Sequence, residues 1–325
     1  MFSNPSNSQT TSPLSTSTGV WLPSASPAPL TPPRLDISAD HVSSVGTPRI
    51  PHPPAPIEVI DISLPTLPAA LNGVRILHIT DQHVRRGRPL TPVLRAAILA
   101  IETVVVDLVV LTGDFMTKKT DAASALQSLH TLTHSWRRHS RPPPAFAITG
   151  NHDSSRFAQL AREASAKGDL PIHFLGPKGH VQRLPGRDAS IALLGSSFPE
   201  DLVDIALHID PFNPTCFPLT LAHYPTEIFA AAALQLPLLL TGHTHGGQFR
   251  LSPRHIPHTS CDMPGRLGSG MLRLKNTLCC VSRGLGTAMI DLRVMCPPQI
   301  PLYVLSRGPL PATLDPNHIV KVREW

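Results

Sequence analysis

LLLTGHTHGGQF, residues 238–249, places two histidines one residue apart, between glycines, at the end of an apolar run. A strand that ends in a turn accounts for the run and the glycines. It leaves open whether His243 and His245 sit there by chance or leave the strand tip together to hold a metal ion. One tip cannot decide this, but the other strand ends of the chain can.

Outward from this stretch, VRILHIT (74–80), DLVVLTG (107–113), AFAITG (145–150), SIALLGS (190–196), PLTLAHY (218–224) and LPLLLTG (236–242) are short, nearly continuous apolar runs. Each is bounded by turn residues, the pattern of strands buried on both faces. Between them TPVLRAAILAIETV (91–104), TDAASALQSLHTLTHSW (120–136), SSRFAQLAREASAKG (154–168) and EDLVDIALHI (200–209) read as helices. The alternation predicts an α/β architecture with helices covering sheet faces. After residue 247 the helices stop. LCCVSRG (278–284), DLRVMC (291–296) and IPLYVLS (300–306) read as strands of a second sheet, joined by loops rich in Gly and Pro. There is no internal repeat.

The strand ends share a chemistry. The first run leads into Asp81, Gln82 and His83, the second into Gly113 and Asp114, and the third into Gly150, Asn151, His152 and Asp153. Two later runs end at His223 and at Gly242, His243, Thr244 and His245. Five strands thus end in residues able to ligate a metal. Ligands of open α/β sheets bind outside these carboxyl ends.

Composition narrows the class. The chain has 325 residues, enough for one large domain or two small ones, and its 41% hydrophobic content allows a sizeable core. Twelve of the 37 prolines fall in the first 56 positions, where no charged residue precedes Arg34. Residues 1–56 therefore have too few apolar groups to offset ordering entropy and are predicted to be a disordered Pro/Ser-rich tail, with Trp21 a stray aromatic in it. A net charge of +6 and a pI near 9.4 suit anionic substrates or surfaces but are mild for a dedicated nucleic-acid binder.

Cysteine usage and hydropathy bear on location. Cys216, Cys261, Cys279, Cys280 and Cys296 form no CxxC pair, so neither a disulfide framework nor a zinc knuckle is expected. The adjacent Cys279 and Cys280 should point to opposite faces of a strand. No apolar run approaches the ~20 residues of a bilayer span. The first residues also lack the cationic start and apolar segment of a signal peptide. Together these predict a cytoplasmic protein, with peripheral contact at a membrane left open.

The order DQH (81–83), GDF (113–115), GNHD (150–153), His223 and GHTH (242–245) resembles the calcineurin-like metallophosphoesterase superfamily, whose pattern is D-x-H, G-D, G-N-H-D/E, H and G-H-x-H. Within it, LTGHTHGGQFRL (240–251), SRGLGT (282–287) and RVMCPPQIPLYVL (293–305) resemble a bacterial branch of small phosphodiesterase-like proteins. Some members of that branch are membrane-associated, and some cleave UDP-diacylglucosamine. The resemblance covers residues 57–307, read as the catalytic domain, and leaves the tail and a C-terminal extension, 308–325, unmatched. It implies a four-layer α/β/β/α sandwich, two mixed sheets flanked by helices. Two positions depart from the pattern. Gln82 stands where the family usually has an apolar residue, and Gln299 in PPQI stands where the branch often has Glu. Neither removes a ligand.

What the resemblance implies for the site is specific. Two divalent cations about 3.5–4 Å apart clamp the attacking and leaving oxygens of an in-line displacement, and a water or hydroxide between them attacks phosphorus. Asp114 bridges the cations and offsets their repulsion. Asp81, His83 and His245 complete one shell; Asn151, His223 and His243 complete the other. The i, i+2 spacing of His243 and His245 lets one segment serve both metals. Nitrogen and oxygen donors suit Mn, Fe, Zn or Ni, and the resemblance favours Mn. His152 is the candidate general acid, with Asp153 orienting and charging its imidazole. Arg85, beside Arg86 and Arg88, and Arg283 are candidate substrate-binding residues; a solvated loop explains the first three equally well. His78 reads as a core residue, His130 and His134 as a polar helix face, and His255 and His258 as exposed loop residues.

The expected function is therefore metal-dependent hydrolysis of a small-molecule or lipid-linked phosphoester by a phosphodiesterase or phosphatase, without dedicated nucleic-acid binding. Three alternatives stand beside it. A nucleotide-sugar lipid pyrophosphatase at the membrane surface would be favoured by an exposed apolar patch near the cleft, and the sequence offers no convincing one. A non-catalytic scaffold on the same fold is opposed by the complete ligand set. A repair-type nuclease fits the pI, but no stretch after residue 250 is long enough for a DNA-capping domain.

Overall fold

The apolar runs become the strands of two sheets, and the way those sheets meet determines where the strand tips lie. The computed structural model describes residues 57–88, 90–136, 142–197, 202, 215–252 and 255–310. The expected tail, nearly all of the helix expected at 200–209 and most of the extension 308–325 lie outside the described residues.

The first six-stranded sheet runs in the order β1 (Ile57–Leu64), β12 (Ile300–Arg307), β2 (Arg75–Ile79), β3 (Leu108–Thr112), β4 (Ala145–Ile148) and β5 (His173–Phe174). The second runs β10 (Gly270–Leu274), β11 (Thr277–Val281), β9 (Leu238–Thr241), β8 (Cys216–Ala222), β7 (Ser190–Ser196) and β6 (His180–Arg183). Both sheets are mixed. β12 is antiparallel to β2, β10 to β11, and β6 to β7; the other neighbours run parallel.

Helices α1 (Pro92–Thr103), α2 (Ala122–Trp136) and α3 (Ser155–Ala166) start where the sequence supplies caps. Thr91 accepts a hydrogen bond from the Leu94 amide at 3.2 Å, with Pro92 at the first helical position, and Ser154 does the same for the Phe157 amide at 3.2 Å. These helices bury Leu94, Leu129, Leu132, Trp136 and Phe157 against the outer face of the first sheet. Between the sheets, Ile76, Val110, Phe146, Leu193, Leu219 and Leu240 form the central core. On the far face of the second sheet, α4 (Ile228–Ala233) and Leu202 pack on Leu194, Leu239 and Cys279. The layers are α/β/β/α, as expected. Among the described residues, no helix is long and apolar enough to cross a membrane.

The adjacent cysteines behave as strand geometry requires. Cys280 faces the central core and Cys279 the outer one. Two expectations about the C-terminal part need correction. β12 joins the first sheet rather than the second, because it wedges between β1 and β2 and alternates its side chains, with Leu302 toward the helices and Tyr303 toward the central core. DLRVMC is not a strand. Leu292, Val294 and Met295 are exposed with no core to face, and left-handed φ values of 50° at Met289, ahead of the stretch, and at Met295, within it, break the extension. β1, β5, β6 and β10 are strands that the apolar runs do not predict.

Candidate metal centre

The carboxyl ends of β2, β3, β4, β8 and β9 converge from both sheets. His223, just past β8, hydrogen-bonds through Nδ1 to the Thr112 carbonyl of β3 in the other sheet at 2.7 Å. The His243 amide, past β9, donates to both carboxylate oxygens of Asp81, past β2, at 3.1 Å. Past β2 the Asp81 and His83 amides donate to the Gly113 and Asp114 carbonyls, each at 3.0 Å. This closeness is why glycine precedes His243: a Cβ on Gly242 would lie 2.2 Å from Thr80 Oγ1 and 2.3 Å from Asp81 Oδ2.

Three clusters result, each with one ligand atom per residue and all those atoms within 4.8 Å of one another: Asp81, His83 and His245; His83, Asp114 and His152; and Asp114, His223 and His243. Asp114 Oδ2 stands between the first and last, 3.4 Å from His83 Nε2 and 3.2 Å from His223 Nε2. In the first cluster His83 Nε2 faces His245 Nε2 at 3.0 Å, and His245 Nε2 lies 3.5 Å from Asp81 Oδ1. Asn151 follows Gly150, at which a Cβ would sit 2.8 Å from His223 Cε1.

The backbone here is strained. Asp81, His83, Asp114, His243 and His245 all have φ between 46° and 71°, a region non-glycine residues enter at about 1–3 kcal/mol each. Five such residues on three strand tips, all carrying ligand-type side chains, mark a site where placement takes precedence over local stability.

The donor set fits metal ions. His223 Nε2, His243 Nδ1 and Asn151 Oδ1 are buried without a hydrogen-bond partner among the described residues. Carbonyls fix the imidazoles from behind: His223 donates from Nδ1 to the Thr112 carbonyl at 2.7 Å, and His243 donates from Nε2 to the Ser260 carbonyl at 3.0 Å. Each ring thereby turns its lone pair into the site, as metal-binding histidines do. Burial lowers the His223 pKa, but the Asp114 carboxylate outweighs it and pushes the pKa up to about 9. A cation on Nε2 would take the place of that proton. Burial also raises the Asp114 pKa, and His223 and His83 overcome this, holding it well below the usual carboxylate range.

His152, the half-buried member of the second cluster, lies 4.8 Å between ring centroids from His83 in an edge-on arrangement. Its Nδ1 hydrogen-bonds to the Thr117 carbonyl at 3.0 Å. Asp153 does not orient it. Asp153 Oδ2 instead accepts from the Asp114 and Gly150 amides at 2.9 and 2.8 Å, and Oδ1 accepts from the Phe115 amide at 2.8 Å and the Met116 amide at 3.4 Å. A carboxylate one residue after His152 turns inward because the tips of β3 and β4 leave these amides unpaired. Asp153→Ala would strand them at about 1–3 kcal/mol per lost buried partner. The expected result is a loss of at least about 3 kcal/mol in unfolding free energy, read in denaturant titrations. A variant of wild-type stability that is merely slow would return Asp153 to His152.

The two arginine candidates lie apart from the clusters. Arg85 is half-exposed and pairs with Asp291 at 3.8 Å. Arg283 is buried: its guanidinium pairs with Glu58 and donates from Nε to the Pro297 carbonyl at 2.9 Å, so it supports the site from behind and does not face a substrate. Gln299, which departs from the branch pattern, belongs to the same group. Its side chain donates to Glu58 Oε2 and accepts from the Arg283 amide at 3.0 Å, and a Glu there would face Glu58. Gln82 is buried and accepts from Ser128 Oγ at 3.3 Å. His78 is a core residue, bonded to Thr112 Oγ1 at 2.8 Å, with burial pushing its pKa down to about 3. His130 is half-buried on α2, and His134, His255 and His258 are exposed.

Arg293 was not foreseen. It donates to the His245 carbonyl at 3.1 Å and approaches His245 Nδ1 at 3.4 Å, and so braces the last ligand-type histidine. Tyr224, also unforeseen, stacks at a tilt on His243 with centroids 4.2 Å apart. Arg293 is hidden by its distance in sequence from His245, whereas Tyr224 directly follows His223 at its strand tip and carries no ligand atom that marks it out.

Comparison with known proteins places these residues in context. A family model described as calcineurin-like phosphoesterase matches residues 74–247, which hold every residue of the three clusters. The chain is 26% identical over 245 residues to YkuE of Bacillus subtilis (strain 168), described as an uncharacterized metallophosphoesterase, covering 74% of this chain and 82% of that one. Among solved structures, a Vps29 single mutant from Entamoeba histolytica aligns at 12% identity with a TM-score of 0.31, covering 68% of this chain and 81% of that one.

Proposed function

We propose a two-metal mechanism on the premise that the chain belongs to the calcineurin-like phosphoesterase family, which makes it a metal-dependent phosphoester hydrolase. Asp81, His83 and His245 hold one cation, Asn151, His223 and His243 the other, and Asp114 both. The observation that carries this reading is Asp114 Oδ2, poised 3.4 Å from His83 Nε2 and 3.2 Å from His223 Nε2, one imidazole from each set. Asn151 Oδ1 and His243 Nδ1, buried without a hydrogen-bond partner among the described residues, support it, since buried polar atoms rarely stay unmatched without a ligand.

When bound, the cations polarise the phosphoryl oxygens and lower the pKa of water to near neutrality. The chain's residues supply the rest. The carbonyls of Thr112 and Ser260 keep His223 and His243 in ligand tautomers. Thr117 O anchors the His152 ring through Nδ1, which leaves Nε2 as the ring nitrogen that would meet the leaving oxygen as general acid. Asp153 fastens the β3 and β4 turns together, which fixes Asp114 relative to Asn151.

The test is metal content with turnover. Protein loaded separately with Mn, Fe, Zn and Ni should bind close to two ions per chain and hydrolyse at least one of a phosphomonoester, a phosphodiester and a pyrophosphate. Chelation should abolish that activity and re-addition of metal restore it. A chain that takes up one ion, or that stays inactive on all three substrate classes with every metal, would end the two-metal reading.

A further inference from the structure

Arg293 sits among the exposed residues Leu292, Val294 and Met295, yet its own side chain runs inward and ends among main-chain oxygens. Nε donates to the Gly286 carbonyl at 3.0 Å. Nη2 donates to the carbonyls of Gly286, Arg283 and Gly284 at 2.5, 2.8 and 3.3 Å. Nη1 turns the other way, to the His245 carbonyl at 3.1 Å and the Cys296 carbonyl at 3.4 Å. None of these partners is a carboxylate. A guanidinium that spends its donors on main-chain oxygens joins backbone segments rather than neutralising a charge.

The segments it joins carry ligands of one metal set. Residues 283–286 form a strap on the tip of β2. The Leu285 amide donates to the Thr80 carbonyl at 3.1 Å, and the Gly286 amide donates to the Asp81 carbonyl at 2.6 Å. The fit is close: a Cβ on Gly284, whose φ is 67°, would lie 2.6 Å from the Asp81 Cβ, and one on Gly286 would lie 2.3 Å from the Gln82 carbonyl oxygen. With Nε and Nη2 Arg293 holds this strap, and with Nη1 it ties the strap to the turn of His245, whose ring Nδ1 lies 3.4 Å from Nη2. The other set is fixed by different groups. Thr112 O holds His223, Ser260 O holds His243, and Asp153 holds the β4 turn that carries Asn151. None of these three ligand-type residues is a partner of Arg293.

We propose that Arg293 is a positioning residue for one cation only: by clamping the strap on Asp81 to the turn of His245, it sets the affinity of the ion that Asp81, His83 and His245 hold, while the ion of the other set binds without it. This rests on the two-metal reading above. Donors already held at their working separation bind without the cost of being brought together, so slack between Asp81 and His245 falls directly on that one cation. Groups that orient metal ligands from outside are worth about 10–100-fold in metal affinity. Lysine is a poor substitute here. A single ammonium keeps the charge but cannot reach carbonyls on both sides, as the planar fork of arginine does.

The experiment is titration of Mn(II) into the metal-free full chain, by calorimetry and by the paramagnetic resonance signal of the free ion. Wild type should take up close to two ions. Arg293→Lys and Arg293→Met should each weaken one ion by about 10–100-fold and the other by less than about threefold, with a cooperative unfolding transition retained. Arg293→Lys, which keeps the stem and the charge, carries the comparison if Arg293→Met does not fold. Two backgrounds identify the ion concerned. Asn151→Ala leaves the tighter ion with the Asp81 set, and adding Arg293→Lys should weaken that ion. His245→Ala leaves the tighter ion with the other set, and adding Arg293→Lys should not change it. A wild type that binds only one ion would overturn the two-metal reading and the clamp with it. With two ions in wild type, the clamp alone falls on any of three results: Arg293→Lys keeps both wild-type affinities, both ions weaken together, or the tight ion weakens as much in the His245→Ala background as in the Asn151→Ala one.

Discussion

Asp114→Ala is expected to lose both cations and to cut turnover by at least about 10³-fold, the scale of removing one strong electrostatic stabiliser of a phosphoryl transition state. Three contacts converge on this carboxylate. Oδ2 faces His83 and His223, and Oδ1 accepts from the His152 amide at 2.9 Å. Alanine removes a donor from each metal set, leaves two like charges with nothing between them, and frees the backbone that positions His152. Asp114→Asn is the informative companion, because it can keep the hydrogen bond to the His152 amide while losing the charge. If charge between the cations is what matters, asparagine should bind metal little better than alanine. Asn151→Ala, which removes one neutral donor from one set, should be milder in both metal content and rate. Metal analysis, kcat/KM on a diester and a thermal unfolding curve for each variant make the comparison. An Asp114→Ala protein that is folded, carries two ions and turns over at nearly the wild-type rate would show that the bridge lies elsewhere.

How much of this was legible in the sequence depended on the range of the interaction involved. Strands buried on both faces appear as apolar runs, so the cores of β2, β3, β4, β7, β8, β9 and β11 could be read directly. β12 was legible as a strand but not as a member of the first sheet, because pairing between residues such as Leu302 and Leu77 leaves no local trace. DLRVMC misleads for the opposite reason: its alternation of apolar and polar residues is strand-like, but the residue that points inward is the half-buried Arg293, and the apolar residues Leu292, Val294 and Met295 are exposed. The ligand-type residues stood out because each ends a strand. Their left-handed backbone did not, since nothing local in Asp81 or His245 announces it; contacts between the sheets impose it. Asp153 was misassigned on proximity in sequence. A carboxylate beside a catalytic histidine looks like its partner, and only the four amides it meets show otherwise.

His152→Ala should slow hydrolysis of an alkyl phosphodiester by about 10²–10⁴-fold, the usual worth of general acid–base catalysis, while leaving both cations in place. The ring is placed for that task. Thr117 O fixes its Nδ1 proton at 3.0 Å, and one ring nitrogen lies within 4.8 Å of the ligand atoms of His83 and Asp114. The Thr117 carbonyl already anchors Nδ1, so no carboxylate is needed to orient the ring. The demand for that proton depends on the leaving group. An alkoxide is too basic to depart as an anion, whereas a nitrophenolate is stable as one. The loss in His152→Ala should therefore shrink steadily as the leaving group becomes less basic. A residual loss should persist even for nitrophenyl esters, since the imidazolium also stabilises charge on the phosphoryl group. The measurement is the ratio of mutant to wild-type kcat/KM across diesters of graded leaving-group basicity, with metal content checked in each preparation. A ratio that stays constant along the series would mean the ring positions or stabilises without donating, and the acid would have to be sought among water and the other side chains of the cleft.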